Sequence, residues 1–242
     1  MKILAIDTTA AAASAALSED GFLIGEYFTN IKQTHSQTIM PMADSLLKSC
    51  GIKLADIGLF AVSAGPGSFT GVRIGVAAVK GLAMPFDTPC AAISSLEALA
   101  HNLAAANGVI CAVMDARRNQ FYNALFEADG TNSPVRLTPD RAIAFEELEE
   151  EIRAIVSSGK NVILVGDGAK ICYNGLKEKG LQAIALAPQN LLYARASSVA
   201  AIALHQFEAG EAVTAQALLP AYLRLPQAER ELKRRTGTDT LD

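Results

Sequence analysis

Asp7-Thr8-Thr9 closes the apolar run Ile3-Leu4-Ala5-Ile6 with a carboxylate and two hydroxyls. At the end of a strand, that grouping suits a nucleotide phosphate: backbone amides of the turn face the anion and the acid holds metal-bound water. Asp7, Thr8 and Thr9 are therefore the nucleotide-binding candidates. A second strand-end acid stands in Met114-Asp115-Ala116-Arg117-Arg118. Its two arginines sit where a phosphate turn offers small hydroxyl or glycine residues, which argues against tight nucleotide seating there. The string Gly65-Pro66-Gly67-Ser68-Phe69-Thr70-Gly71-Val72-Arg73-Ile74-Gly75 resembles a phosphate loop in its glycines alone. No Lys-Ser or Lys-Thr follows the relevant glycine, so a Walker site is excluded. Gly65 and Gly67 instead permit a tight strand-to-helix turn, Ser68 or Thr70 can cap the helix, and Gly71 and Gly75 let another backbone approach it.

The other reactive side chains assemble no catalytic constellation. A metal at His35 would need a second ligand one helical turn on, where Ile39 stands. His101 and His205 lie in apolar helical contexts and read as packing residues, and no nucleophile has a base beside it in the sequence. Cys50, Cys90, Cys111 and Cys172 are too widely spaced for a zinc site or a disulfide framework and read as buried thiols. No catalytic residue, no metal site and no required cofactor is predicted.

These groups need elements to hold them. Ile3–Ile6, Ala10–Leu17 and Phe22–Phe28 read as three strands of a hairpin sheet with a turn at Glu19-Asp20-Gly21. From Ser36, Ile39, Ala43, Leu46, Leu47 and Cys50 recur with helical period up to Gly51. A strand over Leu59–Ser63 leads into the glycine string and a second helix to Met84, apolar around most of its circumference, which therefore needs covering on more than one side. A strand Cys90–Ile93 and a helix from Leu96 to about residue 106 complete the half. The plan then repeats: strand Val109–Asp115, polar corner 116–119, strand Gln120–Phe126, turn Asp129-Gly130. Asp7 to Asp20 spans 13 positions and Asp115 to Asp129 spans 14, so the copies keep nearly one register. Helices over 145–157, 169–179 and 196–208 and a strand over 161–165 follow.

The composition agrees with two half-domains. The 242 residues are 50% hydrophobic, enough for a large core. The formal charge of −4 lacks the cationic field of a protein that grips nucleic acid alone. Apolar runs such as Val109–Met114 are far shorter than a bilayer span, and the first residues lack a signal-peptide core, so no membrane contact and a cytoplasmic location are predicted. Lys233-Arg234-Arg235, in the charged tail 229–242, reads as a solvated chain end.

The strand and corner Ile3-Leu4-Ala5-Ile6-Asp7-Thr8-Thr9, Thr34-His35-Ser36-Gln37 with Pro41 and Leu46-Leu47, the glycine string from Gly65 to Gly75, and Met114-Asp115-Ala116-Arg117 together resemble the TsaB (YeaZ) family. The match is dense to about residue 124 and returns briefly at Pro220–Arg224. The resemblance implies an α/β protein of the actin-like ATPase fold, ribonuclease H-like, with two duplicated subdomains, each a mixed sheet with flanking helices. The divisions implied are 1–106, 107–219 with its last helix packing back on the first subdomain, and 220–242 as the terminal segment. It further implies a non-catalytic relative of TsaD, the subunit that transfers threonylcarbamoyl to tRNA, paired with TsaD through its first two helices and joined by the ATPase TsaE. tRNA would be met only through that complex, while whether ATP or ADP sits at the subunit boundary and whether the chain alone forms a homodimer stay open. On this reading the interface residues are His35, Ile39, Met42, Ala43 and Leu46 on the first helix and Phe69, Val72, Arg73, Val76 and Lys80 on the second. One sequence leaves open which stripe of each helix faces the partner and which the core. The rival enzyme reading, an actin-like or sugar-kinase-like ATPase with its own turnover, rests on Asp7-Thr8-Thr9 and the duplicated plan.

Overall fold

Alternation along the first strand, β1 (Lys2–Asp7), decides the layering. Leu4 and Ile6 turn to one face and Ile3 and Ala5 to the other, and all four are fully buried, so both faces must be covered. The computed structural model describes residues 1–31, 33–117, 119–130 and 133–224 and shows what covers them. β2 (Ala13–Glu19) and β3 (Phe22–Thr29) return antiparallel from β1. Then come α1 (His35–Cys50), β4 (Leu59–Gly65), α2 (Phe69–Ala83), β5 (Cys90–Ser94) and α3 (Ser95–His101). β4 lies parallel to β1 and β5 parallel to β4, giving the order β3-β2-β1-β4-β5.

The second half runs β6 (Asn107–Asp115), β7 (Gln120–Asp129), β8 (Val135–Arg136), β9 (Arg141–Ala144), α4 (Phe145–Ser157), β10 (Val162–Val165), α5 (Ala169–Glu178), β11 (Ile184–Leu186) and α6 (Ala196–Glu208). Its sheet, read from the antiparallel edge, is β8-β7-β6-β10-β11, which repeats the first strand for strand, with β9 also pairing β7. The duplicated plan predicted from the two strand-and-acid segments is thus present in the hydrogen-bond pattern. β8, β9 and β11 went unpredicted, since runs of two to four residues are too short to carry a period. α3 ends at His101 instead of continuing to about residue 106. The Asn102 amide there donates to the carbonyls of Leu191 and Tyr193 at 3.0 and 2.8 Å, and the chain turns so that Leu103 enters the second core.

α1 and α2 lie together over Leu4, Ile6, Leu17, Phe60 and Val62, and α6 covers Ile3, Ala5, Leu59, Ala61 and Ile93 on the opposite face. The stretch Phe69–Phe86 is long and apolar enough to span a bilayer by composition alone, but Val72, Val76 and Val79 pack it into this core.

α6 follows the second half in sequence yet is capped by the first. Arg195 precedes it without a side-chain cap of its own. Instead Glu26 on β3 accepts hydrogen bonds from Ser197 N and Oγ at 3.0 Å each, and Ser14 Oγ accepts from Ala196 N at 2.8 Å. Arg195 pairs with the other Glu26 oxygen at 2.9 Å and lies over Phe28. Acidic groups are favoured at a helix N-terminus because its first amides lack intrahelical partners. Glu26→Ala is expected to lower unfolding free energy in urea by about 2 kcal/mol with unchanged m-value, and Glu26→Gln by about half that, because an amide oxygen still accepts from Ser197.

After α6 a strap returns across the first lobe. Val213 and Cys90 exchange backbone hydrogen bonds at 2.7 and 2.8 Å, adding a bridge to the edge of β5. Ala215 and Leu218 enter the α1/α2 core, Lys80 Nζ donates to Gln216 O, and Ala221 N donates to Ala64 O at 2.7 Å at the end of β4. Arg224 Nη1 then donates to Ala116 O on the second lobe. The tail containing Lys233-Arg234-Arg235 lies outside the described residues.

Candidate functional site

The first strand-end corner is built from β1, the glycine string and the start of α2. Asp7 is 1% exposed and Thr8 and Thr9 are fully buried. The Asp7 carboxylate accepts from Thr9 N and Thr9 Oγ1, both at 3.0 Å, and Thr8 Oγ1 donates to Gly71 O at 2.7 Å. Thr9 O accepts from Ser68 N at 2.7 Å, closing the loop over the corner. Ser68 is also the N-cap of α2, accepting from Gly71 N. No side chain fits between these backbones. A Cβ on Gly67 would lie 2.5 Å from Thr9 O, one on Gly75 2.5 Å from Thr8 Oγ1, and one on Gly71 closer still to Thr8 O.

The prediction of a nucleotide site at Asp7, Thr8 and Thr9 is therefore corrected. Both threonine hydroxyls and the amides of Thr9, Ser68 and Gly71 are used inside the chain, and Gly67–Gly71 pack directly on the corner. Burial pushes the Asp7 carboxyl above the usual range, against the hydrogen bonds from Thr9. His35 closes the other side: its Nε2 lies 2.6 Å from Ala10 O, and since a carbonyl only accepts, Nε2 carries the proton. Gly71→Ala is expected to unfold the protein or cost more than about 3 kcal/mol in denaturant titration, because the clash is with backbone and no rotamer relieves it.

The second corner is open. Asp115 is exposed, and its Oδ1 accepts from Arg117 N at 2.7 Å in a turn where Arg117 and Asn119 both take left-handed backbone, φ 61° and 55°. Asp167, after β10, accepts from Asp115 N at 3.3 Å. Burial, then the neighbouring Asp115 charge, pushes the Asp167 carboxyl up to about 6 although the backbone amides around it oppose the rise. The carboxylate pair escaped the sequence reading, although the duplication signals it: Gly65 and Gly166 occupy equivalent strand ends with φ 124° and 113°. Arg118 lies outside the described residues.

A carboxyl whose folded pKa is raised favours the folded state fully below the unfolded value of about 4, and that stabilisation is lost as pH rises through the folded value near 6. Asp167→Asn keeps the oxygen that accepts from Asp115 N and removes the ionisation. Its stability is expected to match wild type near pH 4 and to exceed it by about 2–3 kcal/mol above pH 7, read from denaturation at both pH values.

The ten predicted interface residues divide by burial. Ile39, Met42, Ala43, Leu46, Val72 and Val76 are all in this chain's own core, with Ile39, Leu46 and Val72 at 1% exposure. They are corrected to core positions: the apolar stripe of each helix faces the sheet. His35 is held by Ala10, while Arg73 is exposed and Phe69 and Lys80 are partly exposed beside it. The outer face of α2 instead presents Arg73, Ala77, Gly81 and, just beyond its end, Met84, and α1 adds Met40 and Pro41. Of the two histidines read as packing residues, His205 is exposed and His101 half-buried, and both line a cavity of about 390 Å³. Burial and the adjacent His205 hold His101 below its ordinary pKa. Among the described residues, no three His, Cys, Asp or Glu side chains converge as a metal site.

Two lobes with one strand order, each ending its central strand in an acid-bearing corner, define a two-lobed α/β class of duplicated mixed sheets. A family model described as TsaD, tRNA N6-adenosine threonylcarbamoyltransferase, matches residues 23–232. The tRNA threonylcarbamoyladenosine biosynthesis protein TsaB of Bacillus subtilis is 37% identical over 234 residues, covering 95% of this chain and 96% of that one. Its namesake from Escherichia coli is 34% identical over 240 residues, 96% of this chain and 98% of that protein. The solved structure of YeaZ from Pseudomonas aeruginosa superposes with a TM-score of 0.78 at 27% identity, covering 92% of this chain and 99% of that chain. The chain belongs to the TsaB family, and the likeness read from the glycine string extends along nearly its full length.

Proposed function

We propose that this chain is a non-catalytic subunit for tRNA N6-threonylcarbamoyladenosine modification, binding and activating the catalytic subunit TsaD together with the ATPase TsaE. One observation carries the reading: the residues that would seat a nucleotide phosphate form an internal joint, so the first lobe keeps the actin-like frame with its reactive corner sealed. The relatives named for this biosynthesis support the pathway.

The partner-binding surface is the outer face of α2 with the exposed edge of α1. It offers Ala77, Gly81 and Met84 with Met40 and Pro41, small or apolar groups that allow close approach of another helix pair. About 800 Å² buried per partner is ordinary for a specific interface of this kind. Without the partner the same face pairs two copies of this chain. tRNA is met through the complex, in the cytoplasm, and this chain itself requires no cofactor. Since the sealed corner does not fit a phosphate, a nucleotide at the subunit boundary would be held by other groups, and no step is assigned to it.

Reconstitution with each component omitted in turn tests the reading. Modification of tRNA is expected to fall to background without this chain, and the chain alone is expected to turn over no ATP; ATP hydrolysis by the isolated chain sinks it. Gly81→Glu separates interface from core, because a Cβ at Gly81 meets open space and losing a helical glycine favours the helix by up to about 1 kcal/mol. It is expected to abolish the complex in size-exclusion chromatography while the subunit stays folded. Val76→Glu, with its charge in the core, is expected to unfold the subunit.

A further inference from the structure

The geometry points to a carboxylate-recognising anchor at Arg73, built jointly by α2 and the C-terminal strap, onto which the partner subunit inserts an acidic side chain. This rests on the partner reading above and specifies its chemistry.

Charge on this surface is one-sided. The chain has 25 acidic residues, yet none falls between 69 and 86 or between 212 and 224, the stretches of α2 and strap that surround Arg73. They carry Arg73, Lys80 and Arg224. Lys80 Nζ is engaged by Gln216 O and Arg224 Nη1 by Ala116 O. Arg73 differs, because among the described residues no carboxylate pairs with it and its one hydrogen bond runs from Nε to Tyr222 Oη at 2.7 Å.

That bond and the rings around it fix the guanidinium. Its carbon lies 3.8 Å from the centroid of Phe69 and 5.7 Å from that of Tyr222, and the two rings are 5.0 Å apart. Stacking orients the plane, the Nε bond sets its rotation, and the edge formed by the two terminal amino groups is left without a partner among the described residues. Such an edge matches the two oxygens of a carboxylate, and a side chain already ordered loses little further entropy on binding. Leu219 and Leu223 stand exposed on the strap that carries Tyr222, apolar groups suited to excluding water from a docked ion pair. An acidic partner side chain also answers the missing acids of this face, where a second cation would be repelled.

Calorimetric titration of TsaD with this chain, wild type and variants, tests the anchor, with circular dichroism and thermal unfolding as controls for the exposed substitutions. Arg73→Ala is expected to weaken association by about 30-fold or more, Arg73→Lys by about tenfold because an ammonium cannot present the fork, and Tyr222→Phe by about threefold. Coupling in a double-mutant cycle between Arg73→Ala and one Asp→Asn or Glu→Gln change on TsaD locates the carboxylate. Arg73→Ala binding within threefold of wild type overturns the anchor while leaving the partner reading intact. Arg73→Lys binding as tightly as wild type overturns the fork. An Arg73→Ala defect seen only when ATP or ADP is present assigns the edge to a phosphate and overturns the carboxylate. Failure of the wild-type chain to bind TsaD at all removes the partner reading, and the anchor with it.

Discussion

The contact on which the first lobe depends is the approach of two backbones, the Thr8-Thr9 corner after β1 and the first turns of α2. Gly67, Gly71 and Gly75 are there because any side chain would overlap Thr8 or Thr9. The approach places Thr8 Oγ1 on Gly71 O and Ser68 N on Thr9 O, so two polar segments satisfy one another where water would otherwise enter. It also fixes the height of α2 over the sheet and, through α2, the position of Arg73. A string of glycines that looks made for an anion is thus a steric requirement between parts of one chain.

Duplication makes the divergence of the two lobes measurable. Both central strands end in an acid, both are flanked on one side by antiparallel and on the other by parallel neighbours, and both parallel neighbours end in a glycine of positive φ. In one copy the loop after that glycine folds over the corner and buries Asp7. In the other the loop supplies Asp167 and leaves Asp115 at the rim. One frame therefore holds two carboxyls raised by burial for different reasons of local packing, one sealed and one beside a like charge.

Much of this was legible from residue order. β1, β4, β6, α1 and α2 have periods long enough to register, and the repeated strand-acid-corner plan announced two similar sheets. The role of Gly71 in admitting another backbone also followed from the residues, whereas Gly75 makes room for the Thr8 side chain. Burial of Ile39, Leu46, Val72 and Val76 did not, because an apolar stripe states that a face is covered and not by what. The sealing of Asp7-Thr8-Thr9 was equally silent, since it depends on residues some sixty positions away. The role of Tyr222 was hidden further still: its contact with Arg73 spans 149 positions, and no local pattern encodes it.

The covering of Ile3, Ala5, Ala61 and Ile93 by α6 has a consequence for how the molecule comes into being on the ribosome. Those side chains are synthesised early, and the helix that shields them emerges only after the whole second sheet. The amino-terminal lobe cannot complete its core as a nascent unit, so the two lobes mature together in one late step. Until then a greasy sheet face awaits its lid, and loss of α6 would strip the first lobe as much as the second.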